Sequence, residues 1–393
     1  MKTITLAGEV YSRNVGDQAI HACLATILKE VDPNLEVLSL DLSGHAFRPP
    51  GNHPPVKDRL FSFLNLWSGS VRGKATRNLA YHRLLAQRKQ VRLWVPLLEK
   101  ADALVIGGGQ LLMDNALDFP LKLSHLASLA NALGIPVHIS ACGVGKAWST
   151  AAQQLFQPIL ENATSITVRD GLSRERLGLF LPGFACQVTA DPAILAGEVF
   201  PGKARVPQVE RIGLGVMSRE DVNSHLLGSD KFSELAWKDL WLDVVTCLVA
   251  EKMKVEIFTT GSQQDEHFAM QLFLAAHQRF CDSVSRANCP EGAMELLGTM
   301  RRYTLVIATR LHASILANAL GISSLGLVWD GKVQSYYDEA ALSERCFNLA
   351  GLQPANLVHA CRSLNHQPFD GTLLAELKDN ARENARVILK KDR

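Results

Sequence analysis

Short apolar runs alternate along the chain with stretches whose apolar residues recur at helical spacing. KTITLAGEV opens as a strand, YSRNVGD follows as a Gly-containing loop, and QAIHACLATILKEV carries apolar positions three and four apart. The unit recurs. ADALVIGGGQLL runs from strand into a triple-Gly loop, SHLASLANALG is a helix, IPVHISACGVG is strand and Gly loop again, SITVRDGLSRERL passes from strand to helix, and CQVTADPAIL closes the round. Polar residues with Pro201, Gly202 and Pro207 interrupt the pattern before RIGLGVMSRE begins a second round. There KDLWLDVVTCLVAEK reads as a helix and VEIFTTGSQQDE as a strand into a polar loop. MELLGTMRRYTLVIATRLHASILANALG reads as helix, strand and helix, and ISSLGLVW as the next strand.

Strands alternating with helices predict an α/β protein with parallel sheets covered on both faces. A chain of 393 residues exceeds one ordinary core, so the expectation is two doubly wound Rossmann-like domains facing a cleft. Residues 1–200 form the first, with an insertion at about 45–100. Residues 201–350 form the second, and 351–393 a charged helical tail expected to pack back on the first domain.

The insertion breaks the pattern. HAFRPPGNHPPV is too rich in proline for a regular element, and residues 57–100 carry ten Lys and Arg against Asp58 and Glu99. A solvated basic helix is the simpler reading. The alternative is peripheral contact with the inner face of a membrane, or a grip on a lipid diphosphate, beside Phe61, Phe63 and Trp67.

Composition narrows the classes. A net charge of +2 argues against a nucleic-acid partner. The amino terminus lacks a signal-peptide apolar region and no apolar run is long enough to span a bilayer, so a soluble cytoplasmic protein is expected. The eight cysteines show no CxxC and no paired Cys/His zinc spacing, which predicts reduced, mostly buried structural thiols and no metal. Oligomeric state leaves no mark on the sequence.

Candidate chemistry gathers where strands end. Asn14, Gly16 and Asp17 lie at a loop feeding a helix amino terminus, a place that attracts anions, though Asp17 also suits a helix cap. Gly107, Gly108 and Gly109 let backbone approach a ligand, and Gly143 in SACGVG repeats the device. Arg169 follows one apolar strand and Arg310 another. A guanidinium grips a carboxylate or phosphate through a planar fork, or pairs with a carboxylate of the fold. His312 lies two residues beyond Arg310, and an imidazole donates or accepts a proton near neutral pH. His21, His82, His125 and His138 read as structural. Gly261 and Ser262, with Asp265, end another strand and suit sugar hydroxyls, a diphosphate or a helix cap. Trp329, Lys332 and Tyr336 suit either stacking and anion contact or ordinary packing.

Together NVGDQAI, ADALVIGGGQLL, ISACGVG, ITVRDGLS, TADPAIL and above all ATRLHASILANALGIS resemble the polysaccharide pyruvyl transferase family, in that order from residue 14 to 323. The resemblance implies a fold similar to two-domain glycosyltransferases of the B type. It implies transfer of a pyruvyl group from phosphoenolpyruvate to two hydroxyls of a sugar as a ketal, with no cofactor beyond that donor substrate. On the family pattern Arg310 and Arg169 bind the donor's phosphate and carboxylate, His312 is the general acid, and Leu311 completes the RLH element. The acceptor implied is a saccharide of an envelope polysaccharide or exopolysaccharide precursor, with a lipid-linked form in view. Two rivals stand beside this reading. A nucleotide-sugar glycosyltransferase would use Asp265 or Glu291 on the ribose and base, and a non-catalytic member of the fold would lack Arg310 or His312.

Overall fold

Thr3–Gly8 (β1), Glu36–Asp41 (β2), Ala103–Gly107 (β3), Val137–Cys142 (β4), Ser165–Val168 (β5) and Gln187–Val188 (β6) form one sheet, ordered β2-β1-β3-β4-β5-β6. Arg211–Gly215 (β7), Lys254–Phe258 (β8), Val284–Arg286 (β9), Leu305–Ala308 (β10), Ser324–Val328 (β11) and Cys346–Asn348 (β12) form the other, ordered β12-β11-β10-β7-β8-β9. Every pairing is parallel. The computed structural model describes residues 2–44, 90–202, 210–226, 230–364 and 367–390. The Pro-rich segment, and all of the basic one before residue 90, lie outside these residues.

TITLAG and LVIA are buried at every position, because helices cover both faces of each sheet and leave no solvent side for alternation to mark. On the first sheet the helices are Val15–Val31 (α1), Asp118–Ala132 (α2), Thr150–Glu161 (α3), Gly171–Phe180 (α4) and the short Ala196–Val199 (α5). On the second they are Arg219–His225 (α6), Glu234–Ala250 (α7), Gln263–Phe280 (α8), Ala293–Met300 (α9), Leu311–Ala319 (α10), Gly331–Glu339 (α11) and Pro354–Leu364 (α12). Gly371–Lys390 (α13) closes the described chain.

The two orders differ in winding. Counted from β7, the second sheet runs 3-2-1-4-5-6, whereas the first runs 2-1-3-4-5-6; each reverses direction once, between β1 and β3 and between β7 and β10. Crevices open outside the strands at those reversals. Apolar packing is continuous between the domains: Val15, Ile20 and Leu24 of α1 and Ile194 belong to the same buried cluster as Leu305 and Leu316.

The tail at 351–393 divides. Helix α12 buries Leu357, Val358 and Cys361 with the second domain, packing on α7, and only α13 crosses to the first domain. There α13 rests on α1, with Arg382 reaching Glu30 at 2.9 Å and Glu198 at 2.6 Å. Two sequence expectations need correction. Helix α1 begins at Val15, so Asn14 holds the cap position and Asp17 lies inside the first turn. Cys281 and Cys289 are exposed, because each lies in a connection bordering β9 rather than on a core face.

Candidate active site

Arg169 and Arg310 emerge at similar places, immediately beyond β5 in one domain and two residues beyond β10 in the other. Arg169 is 5% exposed. Its Nε donates to Asp170 Oδ2 at 3.2 Å, and its Nη1 to Asp191 Oδ2 at 3.4 Å. Both acids also cap helical turns, Asp170 accepting from the Ser173 N–H at 2.6 Å and Asp191 from the Ala193 N–H at 3.0 Å. Gly143 makes the pocket for this side chain: a Cβ there would lie 2.9 Å from the guanidinium carbon.

Arg310 is held more tightly. Its Nε and Nη2 grip Asp265 at 2.8 and 2.9 Å, and Nη2 also meets Asp221 on α6. Asp265 is fully buried and accepts the Ser218 N–H at 2.8 Å as well. Burial opposes charge on Arg310, yet the two acids raise its pKa further and hold it protonated. Asp265 is thereby spent within the fold, which removes the ribose contact expected of it under the glycosyltransferase reading.

His312 leans from the first turn of α10 onto the first turn of α1. A Cβ on Gly16 would fall 2.6 Å from His312 Cβ, so only glycine admits the ring there. The ring's Nε2 is buried and without a hydrogen-bond partner among the described residues; Asp191 Oδ2 stands 3.6 Å away, past hydrogen-bond reach. Burial pushes the Asp191 carboxyl up, but His312 and Arg169 outweigh it and hold the group below the usual carboxylate range.

Lys332, at the start of α11, is the third fixed cation. Its Nζ stands 4.6 Å above the Trp329 ring and donates to Gln110 Oε1 across the domain boundary at 3.0 Å. Burial lowers its pKa to about 8, Asp330 opposes that, and the nearby charges of Arg169 and Arg310 lower it further. Arg169 and His312 thus flank one carboxylate, Asp191, while the charges of Arg169 and Arg310 both bear on Lys332, so the four groups gather where the two domains meet.

The remaining sequence candidates fall into two groups. Asn14 caps α1 through its backbone while its Oδ1 is buried without a partner, and Asp17 faces Gly109. Gly107 ends β3, and Gly108 and Gly109 form the turn after it. Leu311 is buried at the base of α10, lining a small cleft with Arg169, Asp191 and Tyr336. Gly261 and Ser262 stand at the domain seam instead: Gly261, at φ 96°, lies against the Arg13 carbonyl, and the Val15 N–H donates to Thr260 O at 2.8 Å. Glu291 is on the exposed surface. Among the described residues no group of three or more His, Cys, Asp or Glu is placed to hold a metal ion, and no helix is long and apolar enough to cross a membrane.

A family model described as polysaccharide pyruvyl transferase matches residues 14–331, a span that contains Arg169, Arg310 and His312 and ends one residue before Lys332. The chain belongs to that family. Solved structures place the family member's fold among the B-type glycosyltransferases and epimerases. UDP-GlcNAc 2-epimerase from Methanocaldococcus jannaschii superposes with a TM-score of 0.60 at 11% identity, covering 99% of this chain and 100% of that one. A UDP-forming trehalose-phosphate synthase from Burkholderia xenovorans gives 0.52 at 13%, covering 100% and 97%, and S. aureus MnaA with UDP gives 0.53 at 12%, covering 98% and 92%. Identities this low carry the fold alone. No curated protein matches the chain.

Asp191, Asp221 and Gln110 escaped the sequence reading as site residues. Asp191 left one signal, an Asp before Pro at a helix start, which marks a cap and says nothing of the two cations it serves.

Proposed function

We propose that this pyruvyl transferase takes phosphoenolpyruvate as donor and converts two hydroxyls of a saccharide into a pyruvate ketal, acting on an envelope or exopolysaccharide precursor. The observation that carries the reading is that Arg169 and His312 flank Asp191 while the charges of Arg169 and Arg310 bear on Lys332, with His312 Nε2 lacking a hydrogen-bond partner among the described residues. Phosphoenolpyruvate concentrates a carboxylate and a phosphate on three carbons, and guanidinium forks suit both groups. An incoming anion replaces aspartate oxygens on Arg169, whose contacts of 3.2 and 3.4 Å are long for charge-assisted bonds.

His312 then has a defined task. Its imidazolium delivers a proton to the methylene carbon of the donor, which leaves a carbocation stabilised by the neighbouring oxygen at the central carbon. A sugar hydroxyl attacks there, phosphate departs, and a second hydroxyl closes the ring. A lipid-linked acceptor at the inner membrane face is the form that the basic segment at 57–100 would suit.

Calorimetric titration with phosphoenolpyruvate, with UDP- and GDP-sugars as competitors, tests the donor. Saturable binding of phosphoenolpyruvate that the nucleotide sugars fail to displace is expected. Binding of a nucleotide sugar alone would replace this reading with the glycosyltransferase one.

A further inference from the structure

A cavity of about 170 Å³ lies at the carboxyl ends of β1 and β3, the strands between which the first sheet reverses direction. Open α/β sheets bind ligands at such reversals. Gly8 and Gly107–Gly109 supply its backbone lining, and Glu9, Asp17, His21 and Phe119 supply side chains. At ~30 Å³ per water, the space equals a handful of water molecules, which suits one sugar ring. Gly108, at φ 75°, packs its backbone against α1, where a Cβ would lie 2.0 Å from Ile20 Cγ2.

One buried group points to a ligand. His21 is 7% exposed; its Nε2 meets Ser39 Oγ at 2.8 Å, and its Nδ1 has no hydrogen-bond partner among the described residues. That nitrogen faces Gly8 on the cavity lining, 3.7 Å from where a Cβ would stand. Burial lowers the pKa of the ring to about 4, so the imidazole is neutral at pH 7 and Nδ1 offers one neutral hydrogen bond. A sugar hydroxyl is the matching partner, being both donor and acceptor.

The cavity adjoins the cationic crevice through two shared residues. Gln110 lines it and holds Lys332, and Asp17 lines it while its charge is coupled to His312 and Arg169. We propose that this cavity is the acceptor-sugar subsite and that Asp17 is the general base for the attacking hydroxyl, an inference that rests on the pyruvyl-transfer reading. Burial pushes the Asp17 carboxyl above the ordinary range, which strengthens it as a base.

The protons balance as follows. His312 gives its proton to the donor methylene, the first hydroxyl oxygen bonds to the central carbon, and that hydroxyl's proton passes to Asp17. The carbon–oxygen bond to phosphate breaks, phosphate leaving with the electron pair and the proton from Asp17. The second hydroxyl oxygen bonds to the same carbon, and its proton restores the imidazolium of His312. One phosphoenolpyruvate and a diol yield one ketal and one hydrogen phosphate.

The test pairs two binding measurements with one rate. Saturation-transfer NMR and titration with p-nitrophenyl glycosides of galactose, glucose, mannose and N-acetylglucosamine read the cavity, calorimetry with phosphoenolpyruvate reads the crevice, and phosphate release reads turnover. Wild-type protein is expected to bind at least one glycoside and release phosphate with it. His21→Phe should weaken that glycoside about tenfold, the loss of a hydrogen bond to a buried group, and spare donor affinity. Asp17→Asn should bind both ligands and turn over about 10²- to 10⁴-fold more slowly. Donor binding with no glycoside bound, glycoside binding indifferent to His21→Phe, bound glycoside that triggers no phosphate release, or full turnover by Asp17→Asn would each overturn the proposal. Absence of phosphoenolpyruvate binding to the wild type would instead overturn the donor reading, a separate failure.

Discussion

The ends of β5 and β10 begin alike and finish differently. Each places an Arg at the mouth of the cleft, but Arg169 is followed by Asp170 and Gly171, and Arg310 by Leu311 and His312. Asp170 turns back to cap α4 and pair with Arg169, so the first-domain wall is charge held in place by its own neighbours. Leu311 goes into the core, and His312 is carried past it onto α1, its buried Nε2 without a hydrogen-bond partner among the described residues. On the proposed reading one wall supplies charge and the other supplies charge with a proton.

Replacing His312 tests that division most severely. His312→Ala is expected to lower phosphate release about 10²- to 10⁴-fold, the usual share of a general acid, while phosphoenolpyruvate affinity changes little. Equal losses in affinity and rate would make His312 one more anion contact and erase the difference between the two ends.

The arginines differ in what depends on them. Removing Arg310 strands Asp265, which is fully buried and gripped by two bonds of one guanidinium, so Arg310→Ala should cost about 3–5 kcal/mol in stability. Arg169→Ala should cost less. Asp191 keeps the Ala193 N–H and the nearby His312, and Asp170 keeps the Ser173 N–H. Thermal melts of both variants rank them. Adding Asp265→Asn to Arg310→Ala should recover much of the stability without recovering donor binding, which separates the ion pair's structural share from its ligand share.

The β5 wall is also braced from outside its domain's sequence. Asn384 of α13 is fully buried, and its Oδ1 accepts the hydroxyls of Thr167 on β5 at 2.6 Å, Thr189 at 2.9 Å and Ser140 at 3.3 Å. Asn384→Leu leaves these hydroxyls without that acceptor and is expected to destabilise the protein by about 2–3 kcal/mol, seen as a lower melting temperature. An unchanged melt would show that α13 is held by its apolar face and exposed ion pairs alone.

These braces explain which parts of the molecule could be read from the chain. Strand-to-helix junctions were legible because their determinants are local: TLVIATRLHAS and LVIGGGQLL announce a buried strand, a sharp turn and a helix within a dozen residues. The partners that set the chemistry are not local. Asp265 and Asp221 precede Arg310 by 45 and 89 residues, and Asn384 follows Thr167 by 217, so no spacing rule relates them. Strand β2, EVLSLD, passed unrecognised because its edge position leaves Glu36 and Ser39 exposed and shortens the apolar run. Lys332 could be read equally as an anion contact or as ordinary packing. Its hydrogen bond goes to Gln110 of the other domain, 222 residues away.

The smallest expected effect concerns that lysine, which joins the two walls. Burial brings its pKa down to about 8, with the two arginines adding to the depression and Asp330 resisting it. A lowered cation is charged below its pKa and neutral above it, so the anion site keeps its third charge at pH 7 and loses it as the pH rises through 8. Phosphoenolpyruvate affinity should therefore fall by up to about tenfold between pH 8 and 9, one proton's worth of linkage. Lys332→Arg, charged throughout, should flatten the profile, since guanidinium does not titrate in this range. Calorimetry from pH 7 to 9 on both proteins decides the matter: a flat wild-type profile would assign donor binding to the two arginines alone and leave Lys332 as a brace between Gln110 and Trp329.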